Sequence, residues 1–159
     1  MTTEETIDAV RDWFDEEGYH YEFNAEEKFL RTGFNVKCKL RNVRLYVNFH
    51  ENGYNTVAVT SVQGDPEDLG QLMRYLHQAN YGLKSGNFEL DVRDGEIRYK
   101  CWVCTDGLDT LPSEIIEPSV IIPCSMFERY GDGIAALAMG FSDADTEIQK
   151  VEGGDADDD

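Results

Sequence analysis

Apolar positions recur along the chain with two different periods. From Thr2 to Glu17, Ile7, Val10 and Phe14 fall at helical spacing with Trp13 beside them, and Thr2 and Glu5 have capping-box spacing. Gly18 reads as the stop of that helix. Tyr19 to Phe23 is a short aromatic run with weak strand character, and Asn24 to Glu27 reads as a turn. From Phe34 the period changes to two. Phe34, Val36, Cys38 and Leu40 alternate with polar residues, Arg41-Asn42 makes a tight turn, and Val43, Leu45, Val47 and Phe49 alternate in their turn. A two-residue loop sets Leu40 opposite Val43 and Phe34 opposite Phe49. The next run, Tyr54 to Val62, follows Glu51-Asn52-Gly53. A three-residue loop with Gly53 left-handed is preferred, with Val57 opposite Val47 and Val59 opposite Leu45; a two-residue Asn-Gly turn puts Ala58 and Thr60 there instead.

The stretch from Asp65 to Cys104 reads as one helix and one hairpin, around which the rest is arranged. Asp65 suits an N-cap and Pro66 the first helical position. Leu69, Leu72, Met73, Leu76 and Ala79 then share one face, and Gly82 and Gly86 end the helix, predicted over Asp65–Tyr81. Asp94-Gly95 signals a two-residue turn that pairs Val92 with Ile97, Leu90 with Tyr99 and Glu89 with Lys100. One face of the hairpin is then apolar, and the other sets acids beside bases. The helix is expected to pack on the sheet face bearing Leu45, Val47, Leu90 and Tyr99. Beyond a loop from Thr105 to Leu111, Ser113 is read as a cap. Pro118 and Pro123 predict a short helix, a kink and a second segment to about Tyr130, because an interior proline removes a backbone hydrogen bond. Gly131-Asp132-Gly133 reads as a break before the apolar run Ile134 to Gly140. The expectation is an α+β fold: an antiparallel five-stranded sheet, made of a three-stranded meander plus a hairpin, with helices mainly on one face. It is expected to be a single domain over residues 1–151, followed by a disordered acidic tail over 152–159.

Charge narrows the partners. The 159 residues carry 14 basic against 32 acidic side chains, a net −18, and the last eight residues hold five of the acids. Such a surface repels nucleic acid and anionic membranes and favours basic or amphipathic protein partners. No apolar run approaches the roughly 20 residues that span a bilayer, and the acidic N-terminus is unlike a signal peptide. A cytoplasmic setting with reduced cysteines is therefore expected.

Candidate chemistry is sparse. Cys101 and Cys104 form a C-x-x-C spacing, but on a strand the two side chains point to opposite faces, and Cys38 and Cys124 stand far away. Structural cysteines are the preferred reading over a metal site or a redox pair. His20, His50 and His77 are isolated and read as surface or edge residues. No phosphate-binding glycine loop or nucleophile elbow is present. No catalytic residue, cofactor or metal ligand is assigned. Trp102 falls on the polar face of the hairpin, opposite Asn87, and Tyr46 on the outward face of the meander, where Val57 is also read as its neighbour. Aromatic residues on a wet sheet face mark a contact surface, so Trp102 and Tyr46 are the candidate partner or dimer contacts.

The order of helix, meander, helix, hairpin and helix resembles the YbjN-domain family of bacterial sensory transduction regulators. The similarity is closest from Leu76 to Val92, where a helix ending in Asn80 leads through Gly86-Asn87-Phe88-Glu89-Leu90-Asp91 into the Asp94-Gly95 hairpin. Ser113-Glu114-Ile115-Ile116 resembles the start of the family's last helix, and the likeness covers roughly residues 4–145. It implies a fold like that of type III secretion chaperones and a non-catalytic binding or regulatory protein, often a homodimer. The leading expectation is thus a protein-binding regulator, adaptor or chaperone-like module. A small-molecule or metal-sensing domain and a hydrolase with an acidic site are the alternatives.

Overall fold

The computed structural model describes residues 1–153. Its elements run α1 (Thr3–Glu16), β1 (Glu22–Asn24), β2 (Phe29–Asn35), β3 (Asn42–His50), β4 (Gly53–Gln63), α2 (Gly70–Asn80), β5 (Asn87–Leu90), β6 (Glu96–Cys104), α3 (Ser113–Ala138) and α4 (Ala144–Glu152). The strands form one antiparallel sheet in the order β1-β2-β3-β4-β6-β5. The class is the α+β one expected, but with six strands rather than five, because part of the aromatic run after α1 does pair, Glu22–Asn24 against β2. The capping box of α1 forms: the Thr2 N–H donates to Glu5 Oε2 at 2.7 Å and the Glu5 N–H to Thr2 Oγ1 at 3.3 Å.

Three registers differ from expectation. In β2 the paired run is Phe29–Asn35, with Phe34 opposite Val43 and Leu30 opposite Val47. The alternating stretch after it is a loop closed on itself, where Val36 N–H donates to Arg41 O at 2.8 Å and Arg41 takes φ +67°. Its apolar residues are still used, since Val36 and Leu40 are buried at the end of the core. Between β3 and β4 the turn is Glu51-Asn52, with His50 opposite Gly53. Gly53 is required there: its φ is +150° and a Cβ would lie 2.0 Å from Val103 O. This one-residue difference turns Thr56 and Ala58 inward, opposite Val47 and Leu45, and leaves Val57 and Val59 on the outer face. In the hairpin Leu90 pairs with Ile97 and Phe88 with Tyr99, two residues from the expected register. Asp94-Gly95 still lies in the turn, closed by Asp91 N–H to Glu96 O at 2.9 Å. A shift of two preserves the faces, so Phe88, Ile97 and Tyr99 are buried as the alternation implies.

The helices also depart from the sequence reading. Asp65 does not cap α2; its Oδ1 accepts from Glu67 N–H in a preceding turn, and the helix begins at Gly70. Leu72, Tyr75, Leu76 and Ala79 face inward, while Met73 is 51 % exposed. Nor is α2 the helix that covers the sheet centre. That position belongs to α3, which packs on β4 and β6, while α2 packs on β5 and α4. Ser113 is the first residue of α3, and the N-cap position is Pro112.

One continuous helix passes through both prolines and both glycines of the expected break. Pro123 has no N–H to give the carbonyl of Ser119, four residues earlier. Thr56 of β4 supplies the missing donor: its hydroxyl donates to Ser119 O. The Ser119 hydroxyl in turn donates to Ile116 O at 2.7 Å and lies 3.0 Å from the Tyr54 hydroxyl. Pro118 frees the carbonyl of Glu114, an exposed residue that water can serve. Gly131 and Gly133 allow close approach instead of breaking the helix. A Cβ at Gly131 would meet Cys38 Sγ at 2.6 Å, and one at Gly133 the Tyr75 hydroxyl at 2.3 Å. A last helix, α4, was not foreseen. It is capped by the Asp143 side chain accepting from Thr146 N–H, and it carries Glu152, which the expected tail had claimed, in a bond from the Tyr130 hydroxyl. The remainder of that tail, from residue 154, lies outside the described residues.

The Ser119 arrangement gives a double-mutant test. Thr56→Val should cost about 1–3 kcal/mol by leaving a buried carbonyl without a donor. In a Pro123→Ala background, where the helix supplies its own N–H, the same substitution should cost about 1 kcal/mol less. Urea denaturation of the four proteins measures this, and additive effects would show that Thr56 does not compensate the proline.

Candidate functional site

With the helices gathered on one side, the other side of the sheet is bare, and the registers order its side chains in three cross-strand rows. The first runs Gly33, Arg44, Val59, Arg98, Glu89; the second Arg31, Tyr46, Val57, Lys100, Asn87; the third Phe29, Asn48, Asn55, Trp102. Val57 and Val59 sit in the middle strand with no helix above them, yet both are under 10 % exposed. Long neighbours close over them: Tyr46 and Lys100 flank Val57, and Arg44 and Arg98 flank Val59. The stems of such basic side chains cover apolar surface while their charged ends stay wet.

The charges on this face are unevenly satisfied. Arg31 donates to Glu22 Oε2 at 2.8 Å. Glu89 alone serves two cations, Arg98 Nε at 2.6 Å and Lys100 Nζ at 2.6 Å. Burial works against its carboxylate, but the hydrogen bonds from Lys100 and Arg98 outweigh that and hold its pKa below the ordinary value. Because the shift is downward, this pairing stabilises the fold above the ordinary carboxylate range and is lost as pH falls below it. Arg44 is exposed and has no partner among the described residues. A shallow hollow runs beside it between Tyr46, Val59 and Glu96.

Trp102 and Tyr46 both lie on this face, as read from the sequence, but β4 separates them. Trp102 is 49 % exposed and stands opposite Asn55, not Asn87, which faces Lys100. Its ring lies tilted against His50, centroids 5.6 Å apart, and His50 shares a 2.8 Å hydrogen bond with Asn55. The Tyr46 ring is 6.3 Å from Phe29. Sequence reading missed the row of Arg44, Val59 and Arg98, whose alignment depends on the registers of three strands together.

The sheet edges are short and one is blocked. β1 has 3 residues and β5 has 4. On β5, the Asn80 side chain accepts from Phe88 N–H at 2.7 Å and donates to Phe88 O at 3.0 Å, taking the groups that another strand would need.

The other candidates are dispersed. Cys101 is buried and Cys104 exposed, on opposite faces of β6. Burial raises the thiol pKa of Cys38 and Cys101, and pushes that of Cys124 up to about 12. His20, His50 and His77 are all exposed. Among the described residues, no three His, Cys, Asp or Glu side chains are grouped to hold a metal ion, and no helix is long and apolar enough to cross a membrane.

Taken together, these features define an α+β protein whose distinctive surface is an open sheet face of mixed cationic and aromatic character. The match to a known family agrees with that class. A family model described as YbjN, "putative bacterial sensory transduction regulator", matches residues 6–110, and the chain belongs to that family. The match takes in α1, α2 and the whole sheet and ends before α3, short of the reach to residue 145 read from the sequence. That description is of a regulator. No curated protein matches the chain.

The thiols and tryptophans report this arrangement. With Ellman's reagent on native protein, Cys104 should react fast and Cys101 and Cys124 only on unfolding. Acrylamide should quench Trp102 but not Trp13, which is 6 % exposed, so Trp102→Phe should remove the quenchable emission. Equal quenching of both variants would place Trp102 in the interior.

Proposed function

We propose that this chain is a non-catalytic protein-binding module, acting in the bacterial cytoplasm as a regulator or adaptor through its bare sheet face. One observation carries the reading: Trp102 stands half exposed, and Tyr46 partly so, on a sheet face that no helix covers. Apolar and aromatic surface ringed by polar groups is the composition of a contact patch. Membership of a regulator family supports it. In this reading two copies pair through the row Phe29, Asn48, Asn55 and Trp102, which carries no acid or base. A two-fold interface brings the same patch of each copy together, so an uncharged row avoids like charges at its centre.

Two measurements test this. Immobilised protein should capture partners from native lysate, and Trp102→Ala and Tyr46→Ala should lose them while both variants keep the wild-type circular dichroism at room temperature. Undiminished capture by both variants would move the contact surface elsewhere. Light scattering coupled to size exclusion should give a dimer of the 18.1 kDa chain, strengthened by salt as repulsion is screened. A monomer at every salt concentration would refute the pairing, and a dimer indifferent to Trp102→Ala would misplace its seam.

A further inference from the structure

We infer that the cationic rows of the bare face dock an acidic segment of a partner protein, with its carboxylates on Arg44 and Arg98 and its apolar side chains against the Tyr46 ring and the aliphatic stems that cover Val57 and Val59. This rests on the reading of the chain as a protein-binding module and names the chemistry of what it binds. It departs from the basic partner that the overall charge suggests.

The first argument is the distribution of charge. Strand residues of this face hold Arg31, Arg44, Arg98 and Lys100 against Glu22, Glu89 and Glu96, a balance of four bases to three acids. The rest of the chain has ten bases to twenty-nine acids. A partner with carboxylates is repelled everywhere else and drawn here, so the field selects the face as well as the partner.

The second argument is local. Arg44 has no partner among the described residues, and Arg98 and Lys100 share one carboxylate. Arg98 gives Glu89 Oε2 its Nε–H while Lys100 holds Oε1, so the Arg44 guanidinium and the terminal N–H groups of Arg98 have hydrogen-bond donors to offer a new carboxylate, and a fork suited to it.

Geometry then favours a segment over a small anion. Arg44 and Arg98 lie on either side of β4, with Val59 between them. Two strand spacings separate their backbones by about 10 Å. Both guanidinium groups reach that far, so a small anion is held at one point only, whereas a chain laid across the strands sets successive carboxylates on the two arginines and covers the surface between them. The surface between is made by the aliphatic stems that cover Val59 and by the Tyr46 ring, on which the aliphatic residues of such a segment would pack.

Nucleic acid meets the same cations but fits less well. Of the three outward aromatics, Phe29 and Tyr46 lie against each other on one side of β4 and Trp102 lies against His50 on the other. They make no continuous stacking platform, and the net charge of −18 opposes a polyanion as a whole. The blocked edge at Asn80 and the short strand β1 leave side-chain docking on the face, rather than strand addition, as the mode.

The probe is a fluorescein-labelled dodecapeptide of glutamate with interspersed leucine, titrated with the full chain and followed by anisotropy at low and high salt. Binding should appear and weaken with salt. Arg44→Glu should reduce affinity at least about tenfold while the chain stays folded, since the Arg44 guanidinium makes no hydrogen bond or ion pair among the described residues and glutamate keeps part of the stem over Val59. Lys84→Glu makes the same change in net charge elsewhere and should change affinity less than about twofold. Absence of binding at millimolar protein, or equal losses in the two variants, overturns the proposal. So does competition by single-stranded DNA of matched charge as strong as that of unlabelled peptide. Lysate capture that depends on Trp102 but is unchanged by Arg44→Glu would leave the binding-module reading standing and remove the acidic occupant alone.

Discussion

The carbonyl of Ser119 fixes how the layers of this protein meet. Pro123 deprives it of its helical donor, and a buried carbonyl without a donor is costly. The Thr56 hydroxyl, turned inward by the register of β4, is in place to donate. Tyr54, two residues earlier on the same face, reaches the Ser119 hydroxyl, and burial pushes its own pKa up to about 12. The proline thus makes α3 incomplete without β4, and β4 lies near the middle of the sheet. A helix held by hydrogen bonds has its position along the strand specified more narrowly than apolar packing alone would set it. Once α3 is placed, Gly133 admits Tyr75 of α2, whose hydroxyl donates to Tyr130 O at 3.1 Å. The carboxylates of Glu128 and Asp132 accept from the loop N–H groups of Lys37 and Lys39.

That arrangement determines what is left outside. All the helical cover is on one face, so the apolar residues of β4 that point the other way must be shielded by neighbouring side chains. Val57 and Val59 are hidden by the stems of arginine and lysine and by the ring of Tyr46. The charged ends of those stems then gather over the middle of the face. The cationic character of the surface follows from protecting two valines on an uncovered sheet, and the same residues become available for recognition.

What was legible in the sequence follows the range of the interactions concerned. The capping box and apolar stripe of α1 are local, and both form as read. The Asp94-Gly95 turn is local too, and a register error of two residues left each hairpin side chain on its proper face. The alternation of Phe34 to Leu40 misled because Val36 and Leu40 fill the core from a loop, while Phe29 on the outer face and Thr32 on the inner one weaken the pattern of the true strand. A one-residue error at Glu51-Asn52 set Val59 inward, which hid the row it forms with Arg44 and Arg98. The prolines of α3 obeyed the rule that a carbonyl loses its donor. The predicted kink did not follow, because a side chain 63 residues away made the loss good, and no local rule carries that information. The outward placement of Trp102 and Tyr46 needed only the parity of their strands.

The edges explain why a face is the surface left for recognition. An open antiparallel sheet offers partners two kinds of surface: backbone groups at its edges and side chains on an uncovered face. Here β1 is too short to template much pairing, and Asn80 occupies both backbone groups of Phe88 on β5. Strand addition, which reads backbone and tolerates many sequences, is thereby discouraged at both ends. Recognition by side chains on the face depends on charge and shape at fixed positions, and is more selective. In a chain so acidic, selection by charge has further reach, because any anionic surface is held off until it meets the rows of Arg44, Arg98 and Lys100. In the proposed mode, the asymmetry between a repelling body and a less acidic face would give orientation as well as discrimination, since an acidic segment would be turned toward the sheet before contact is made.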